Sequence, residues 1–256
     1  MNRFRASLLV LTLPLTLFAM GAESAAQDHV TIQPRRVVFI RRGKVVRDFP
    51  ERKKATVRYP IAGGLPDATV LRRIQNTLKM KNVFDSSLEE YRQDTGLLNF
   101  DYQVNYNKNY LLDITFTQDA EGAYPDTQMK HFLISLKNGM VIKGADAFDS
   151  DSLGPLARLA DQKLKVEIRE LVKANEEDKS TDTDQKSWVR DQLSKLEFGA
   201  LNLDEFSISD KGLTFLYDAG FPHAIQALQP NGEYFFSYPE LRAYIKSNGP
   251  LGIFKH

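Results

Sequence analysis

The sequence predicts an α+β fold in which helices pack on curved antiparallel sheets, and three observations carry that expectation. Apolar and polar residues alternate over Leu98 to Tyr106, Tyr110 to Gln118 and Met129 to Leu136, the pattern of half-buried strands. The period then switches to 3.6 from Leu153 to Ala174, with Leu156, Leu159, Ala160, Leu164, Ile168 and Leu171 on one stripe. Short alternating runs return near the C-terminus. This succession of strands, helix and strands predicts two intimately packed sub-domains, over residues 27–149 and 150–256.

The first twenty-six residues read as a secretory signal peptide. Arg3 and Arg5 form a basic start, an apolar run from Leu8 to Ala19 follows, and Ser24 and Ala26 fit the small-x-small rule for cleavage before Gln27. The run is shorter than the roughly 18 to 20 uninterrupted apolar residues of a membrane span and contains Pro14. A periplasmic or secreted protein is therefore expected, with no membrane span after signal removal.

Next, Val37 to Ile40 and Lys44 to Phe49 flank Arg41-Arg42-Gly43 and predict a hairpin. Ala55 to Tyr59 predicts a third strand, ended by Pro60 and the Gly63-Gly64 pair. Asp67 caps a predicted helix that carries Val70, Leu71, Ile74 and Leu78 inward and runs to about Lys81. A second, short helix is expected over Ser86 to Asp94, with Leu88 and Tyr91 inward. Asn107-Lys108-Asn109 and Asn138-Gly139 are turn signals that make the three central strands an antiparallel meander. After the long amphipathic helix, residues 175–185 form a polar stretch without apolar anchors, expected to be a mobile linker. Trp188, Val189, Leu193 and Leu196 suggest another helical segment. Strands are then expected over Glu205 to Ser209, Leu213 to Tyr217 and Tyr234 to Ser237, and a last helix from Pro239 to Ile245.

Composition excludes several functions. Removing Arg3, Arg5 and Glu23 from 34 basic and 33 acidic residues leaves 32 of each, a balance that argues against bulk capture of nucleic acid. Arg35, Arg36, Arg41, Arg42, Lys44 and Arg47 form one local basic cluster, read as an exposed hairpin face. With no cysteine, the exported domain must be held by its core and not by disulfides.

No catalytic motif is present: there is no Gly-x-Ser-x-Gly elbow, no glycine-rich phosphate loop and no dinucleotide fingerprint. His29, His131, His223 and His256 are too scattered for a zinc site, and His131 reads as a surface or half-buried strand residue. No cofactor and no metal are expected. A glycosidase with dispersed carboxylates stays open, with Asp94, Asp101, Asp113, Asp119, Glu121 and Asp126 as its candidate acids.

Aromatic residues are more suggestive. Tyr102, Tyr106, Tyr110 and Tyr124 accompany the meander, and Tyr217, Phe221, Tyr234, Phe235, Phe236 and Tyr238 crowd the C-terminal part. Such side chains serve protein or carbohydrate contact, and they equally fill cores. Gly122-Ala123-Tyr124-Pro125-Asp126 predicts a loop that displays Tyr124, whereas strand alternation predicts burial for Phe221. Tyr124, Asp126, Phe221, His223 and Tyr234 are the candidate binding residues.

Two segments carry a family resemblance. Ala55-Thr-Val-Arg-Tyr59-Pro60, the following helix, the strand from Tyr106 to Phe116, Gly122-Ala-Tyr-Pro125 and Leu136-Lys-Asn-Gly139 before Ala147-Phe148 make up the first. Phe206-Ser-Ile-Ser-Asp-Lys-Gly212-Leu213-Thr-Phe215, Gly232 and Tyr238-Pro-Glu-Leu241 make up the second. Together they resemble the PdaC N-terminal and RsiV ectodomain family, paired domains of unknown function in bacterial envelope proteins. Within it, Tyr124 lies where a histidine is common, and Ala219 to His223 stands where a tyrosine-rich strand is more frequent. The resemblance implies an α+β recognition domain and not a deacetylase, whose Thr-Phe-Asp-Asp-Gly motif is not matched by Thr115-Phe116-Thr117-Gln118-Asp119. The partner it implies is an envelope protein or a peptidoglycan fragment. A structural subunit that holds its partner permanently is a third expectation.

Overall fold

The computed structural model describes residues 27–122, 125–180, 182–221 and 223–255. The expected signal peptide and Tyr124 lie outside these residues. The fold is α+β. Five strands, β1 (Thr31–Ile40), β2 (Lys54–Gly63), β3 (Leu97–Lys108), β4 (Leu111–Glu121) and β5 (Pro125–Ser135), form one sheet in chain order. A short helix α1 (Lys44–Asp48) separates β1 from β2, and α2 (Ala68–Thr77), α3 (Met80–Phe84) and α4 (Leu88–Gln93) separate β2 from β3. Then come α5 (Gly144–Ala147), α6 (Leu153–Glu177) and α7 (Thr183–Ser194). A three-stranded antiparallel sheet, β6 (Phe206–Ile208), β7 (Gly212–Leu216) and β8 (Glu233–Ser237), follows with α8 (Tyr238–Leu241) behind it.

Four local expectations are corrected. The segment from Lys44 to Phe49 is helical and not a hairpin arm: Gly43, at φ 96°, turns the chain away, and β1 pairs along its length with β2. β2 runs through Pro60 to Gly63, because Pro60 stands opposite Pro34 in a pair where neither N–H is needed for the ladder. The large sheet is also mixed: β2 and β3 are parallel, and the crossover between them is α2 to α4. The predicted helix to Lys81 divides at Leu78 into α2 and α3. The polar stretch 175–185 is entered by helix from both ends, since α6 reaches Glu177 and Asp182 caps α7 by accepting from the Gln185 N–H.

Alternation in β4 sorts the core. Leu112, Ile114 and Phe116 face the crossover helices and are buried with Val70, Ile74 and Leu78 of the α2 segment. Asp67 caps α2 by accepting from the Thr69 and Val70 N–H groups, which hold its carboxyl below the usual carboxylate range. On the other face Leu111, with Leu133 and Tyr106, joins a second core built on Leu156, Ala160, Leu164 and Ile168 of α6. Phe215 is the centre of that core, with ring centroids of Phe148, Phe198, Phe206 and Phe236 at 5.9, 5.8, 6.1 and 5.8 Å. Each fully buried ring or aliphatic side chain contributes about 1.5–3 kcal/mol. The two halves are thus continuous at this seam. Phe254 stacks on Tyr238 at 4.1 Å and meets Tyr106 at 6.2 Å.

Candidate functional site

Where the seam opens, it stops being apolar. Asp113 follows Leu112 in β4 and shares the face of Leu111, and it is fully buried. Its Oδ1 accepts from Asn105 Nδ2 at 2.7 Å and meets His131 Nε2 at 2.7 Å. Its Oδ2 accepts from Ser207 Oγ at 3.0 Å and from the Ile208 N–H at 2.6 Å. Four surrounding groups that can all donate suit a carboxylate that only accepts. The first two partners come from the large sheet and the last two from β6, so one side chain ties the halves together.

Local backbone explains the aim of Asn105. The β3–β4 register shifts between the pairs Val104↔Ile114 and Tyr106↔Asp113, leaving Asn105 as an extra, unpaired residue. Such a bulge turns its side chain out of strict alternation, and Asn105 Nδ2 reaches Thr115 Oγ1 at 2.9 Å as well as Asp113. His131, opposite Thr115, has its side chain only 6% exposed. The sequence predicts a surface or half-buried strand residue here; the side chain is instead nearly enclosed, and its ring belongs to this junction.

Beyond the junction lies a cleft of about 640 Å³, within the range of ligand-binding clefts. Asn105, Thr115 and His131 border it on the junction side, and Asp126 to Lys130 of β5 continue that wall. Glu205, Ser207, Thr214 and Leu216 from the outer face of the small sheet form the opposite wall, with Tyr217, Asp218, Asn231, Gly232 and Glu233 at its end. The lining is mostly amide, hydroxyl and carboxylate. Burial pushes the Tyr217 phenol above its ordinary value. Gly232, at φ 76°, cannot be replaced without cost: a Cβ there would lie 2.0 Å from the Tyr217 carbonyl oxygen.

The candidate binding residues are placed differently from one another. Asp126 lines the cleft and accepts from Gln128 Nε2 at 2.9 Å. Phe221 is half-buried and packs against the second core. His223 begins the 3₁₀ turn His223–Leu228, and its side chain is not among those described. Tyr234 is buried, with its hydroxyl 2.9 Å from Glu167 Oε2 of α6, so it presents no surface to a partner. The dispersed acids do not gather. Asp113 is the buried tie, Asp101 pairs with Arg58, Asp94 accepts from the Gly96 N–H, and Asp119 accepts from Asn99 and Thr127. Among the described residues, no three His, Cys, Asp or Glu side chains cluster as metal ligands, and no helix is long and apolar enough to cross a membrane.

Solved structures share this architecture. A DUF3298 family member from Bacteroides fragilis matches with a TM-score of 0.57 at 14% identity, covering 90% of this chain and 99% of that one. A DUF3298 family protein from Pseudomonas aeruginosa matches at 0.53 and 15% identity, covering 86% and 95%. At such identities the likeness establishes the fold. No family model and no curated sequence relative matches the chain.

Sequence reasoning missed Asn105, Ser207, Glu205, Thr214 and Glu233. One signal was available: Asp113, Thr115, Thr117 and Asp119 form a polar stripe behind the apolar Leu112, Ile114 and Phe116. A strand with both faces buried in hydrophobic cores would not carry it.

Proposed function

We propose that this chain is a non-catalytic, exported recognition protein of the bacterial cell envelope, and that its ligand, an envelope protein or a cell-wall glycan fragment, seats in the cleft between β5 and the small sheet. The observation that carries this reading is the cleft itself, whose two walls present hydrogen-bonding side chains from different halves of the fold. Asp113, buried behind the junction wall of the cleft, is already committed to four partners and is withdrawn from solvent, so its role is structural. Export is supported by the signal-like start, and the envelope setting by the family resemblance.

A glycan hydrolase is the second reading, favoured by the carboxylates of Asp126, Glu205, Asp218 and Glu233 around one cleft. It would need two of them about 5–10 Å apart across a sugar ring.

Purified protein should retain a binder from envelope extract or bind purified peptidoglycan, and Thr214→Arg, which fills the cleft from an outward-facing strand position, should abolish that binding with an unchanged melting temperature. Binding that survives Thr214→Arg would remove the cleft from the function. Release of reducing sugar from peptidoglycan, lost in Glu205→Gln or Glu233→Gln, would replace recognition by hydrolysis.

A further inference from the structure

Six consecutive β5 residues, Asp126 to His131, border the cleft. Successive side chains of a strand point to opposite faces. Thr127, Met129 and His131 on one face and Asp126, Gln128 and Lys130 on the other can therefore share a cavity only where that cavity runs along the strand's edge. β4 occupies one edge of this segment, and among the described residues no strand pairs with the other. The unpaired edge is roughly 17 Å long, at about 3.4 Å per residue over five steps. Thr127 to Lys130 are exposed, and Met129 is 67% exposed.

The charge around this edge is one-sided. Asp126, Glu205, Asp218 and Glu233 line the cleft, against Lys130 as its single lysine or arginine. A glycan could use those carboxylates and single backbone groups, but it does not repeat donors and acceptors in the register of a strand edge. An extended polypeptide does.

We propose that the cleft takes an extended, lysine- or arginine-bearing peptide segment of a partner protein, which pairs with Asp126 to His131 as a sixth strand and turns its cations toward Glu205, Asp218 and Glu233. This rests on the cleft being the binding site, and it names the partner's chemistry. Main-chain hydrogen bonds would supply affinity and the acidic wall selectivity, the division of labour in strand addition. Thr214 and Leu216, from the outer face of the small sheet, would meet alternate side chains of the added strand.

The test uses a fluorescein-labelled eight-residue peptide in which lysine alternates with threonine and valine, read by anisotropy against the purified protein. Saturable binding is expected, weakened about tenfold or more when glutamate replaces lysine, and about three- to tenfold by Glu233→Gln in the protein with an unchanged melting temperature. The decisive arm is N-methylation of alternate peptide residues. Methylation in one phase should abolish binding and in the other leave it nearly intact, because only one edge of the added strand faces β5. Equal effects in both phases would reduce the interaction to charge and overturn the strand. If the peptide fails while peptidoglycan fragments bind and Thr214→Arg blocks them, the strand proposal falls and the recognition cleft survives. If neither binds, both fall. Concentration-dependent dimers cross-linked through Met129→Cys would show the edge taken by a second copy and would overturn the proposal too.

Discussion

β1 and β5 are the two outer strands of the same sheet, and among the described residues each leaves one edge without a strand partner. On β1, Pro34 supplies no N–H, and the adjacent Arg35 and Arg36 are exposed, so an approaching strand meets a gap in the ladder and two positive charges. These are ordinary devices against edge-to-edge pairing. β1 is also fastened at its end by Arg41, whose guanidinium donates to the carbonyls of Arg52 and Leu97 at 3.1 and 2.8 Å and to that of Asp94. β5 carries threonine, glutamine and methionine over its exposed middle, with Lys130 as its one cation there, and faces a cleft. The difference teaches that the fold defends one edge chemically and leaves the other facing a cleft whose opposite wall is the small sheet. An edge that faces a cleft has a wall on one side, which would favour a single added strand over a whole sheet.

The largest test of this contrast is Asp113→Ala. This carboxylate ties β6 to the large sheet, and its removal leaves the Ile208 N–H, Ser207 and His131 without this acceptor and Asn105 with Thr115 alone. Each buried donor left unsatisfied costs about 1–3 kcal/mol, a loss that a urea titration would read directly. A loss below about 1 kcal/mol would mean that the aromatic seam alone positions the small sheet. Arg41→Ala probes the other edge. Loss of charge-assisted bonds to several carbonyls should cost about 2–3 kcal/mol, with faster amide exchange near Asp94 to Leu97 and little change at the cleft.

Alkaline pH separates the packing behind the two sheets. Burial raises the phenols of Tyr91, behind the large sheet, and of Tyr234 and Tyr238, in the second half; the Glu167 carboxylate adds to the effect at Tyr234. A folded-state pKa above the unfolded value of about 10 gives stability that is fully present below pH 10 and is lost as pH rises beyond it. Each such tyrosine should cost about 0.8 kcal/mol at pH 10.5. Tyr234→Phe should flatten the alkaline slope of the urea midpoint by that amount, whatever it does at pH 8.

Much of this fold was legible from local pattern. The alternation in β3 to β5, the α6 stripe and the Asp67 cap are written in neighbouring residues, and the structure keeps them. The parallel β2–β3 pairing was not, because two paired positions carry it and the partners Thr56 and Asn99 are far apart in the chain. The junction was hidden for the same reason. Asp113 and Ser207 lie 94 positions apart, and Asn105 reaches it through a bulge that leaves no mark in an otherwise regular strand. Tyr234 shows the converse limit: composition separates aromatic from polar, but only packing separates a displayed tyrosine from a buried one.

The smallest expected effect on stability bears most directly on the comparison. Met129→Arg would give β5 the kind of charge that β1 carries, and Arg36→Thr would take one from β1. Both positions are exposed, so each change should stay within about 0.5 kcal/mol of the parent protein in a urea titration. Their binding phenotypes should nevertheless part. Met129→Arg brings a cation to the unpaired edge beside Glu205 and Glu233 and competes with a cationic strand for the same carboxylates, so the lysine peptide should be lost. Arg36→Thr sits at the far side of the sheet, with β2, β3 and β4 between it and β5, and should leave peptide binding unchanged while increasing self-association at high concentration. If Arg36→Thr weakened the peptide as much as Met129→Arg, the two edges would not be functionally distinct. Loss of a glutamate-bearing peptide in Arg36→Thr would then make β1, and not β5, the edge that meets a partner.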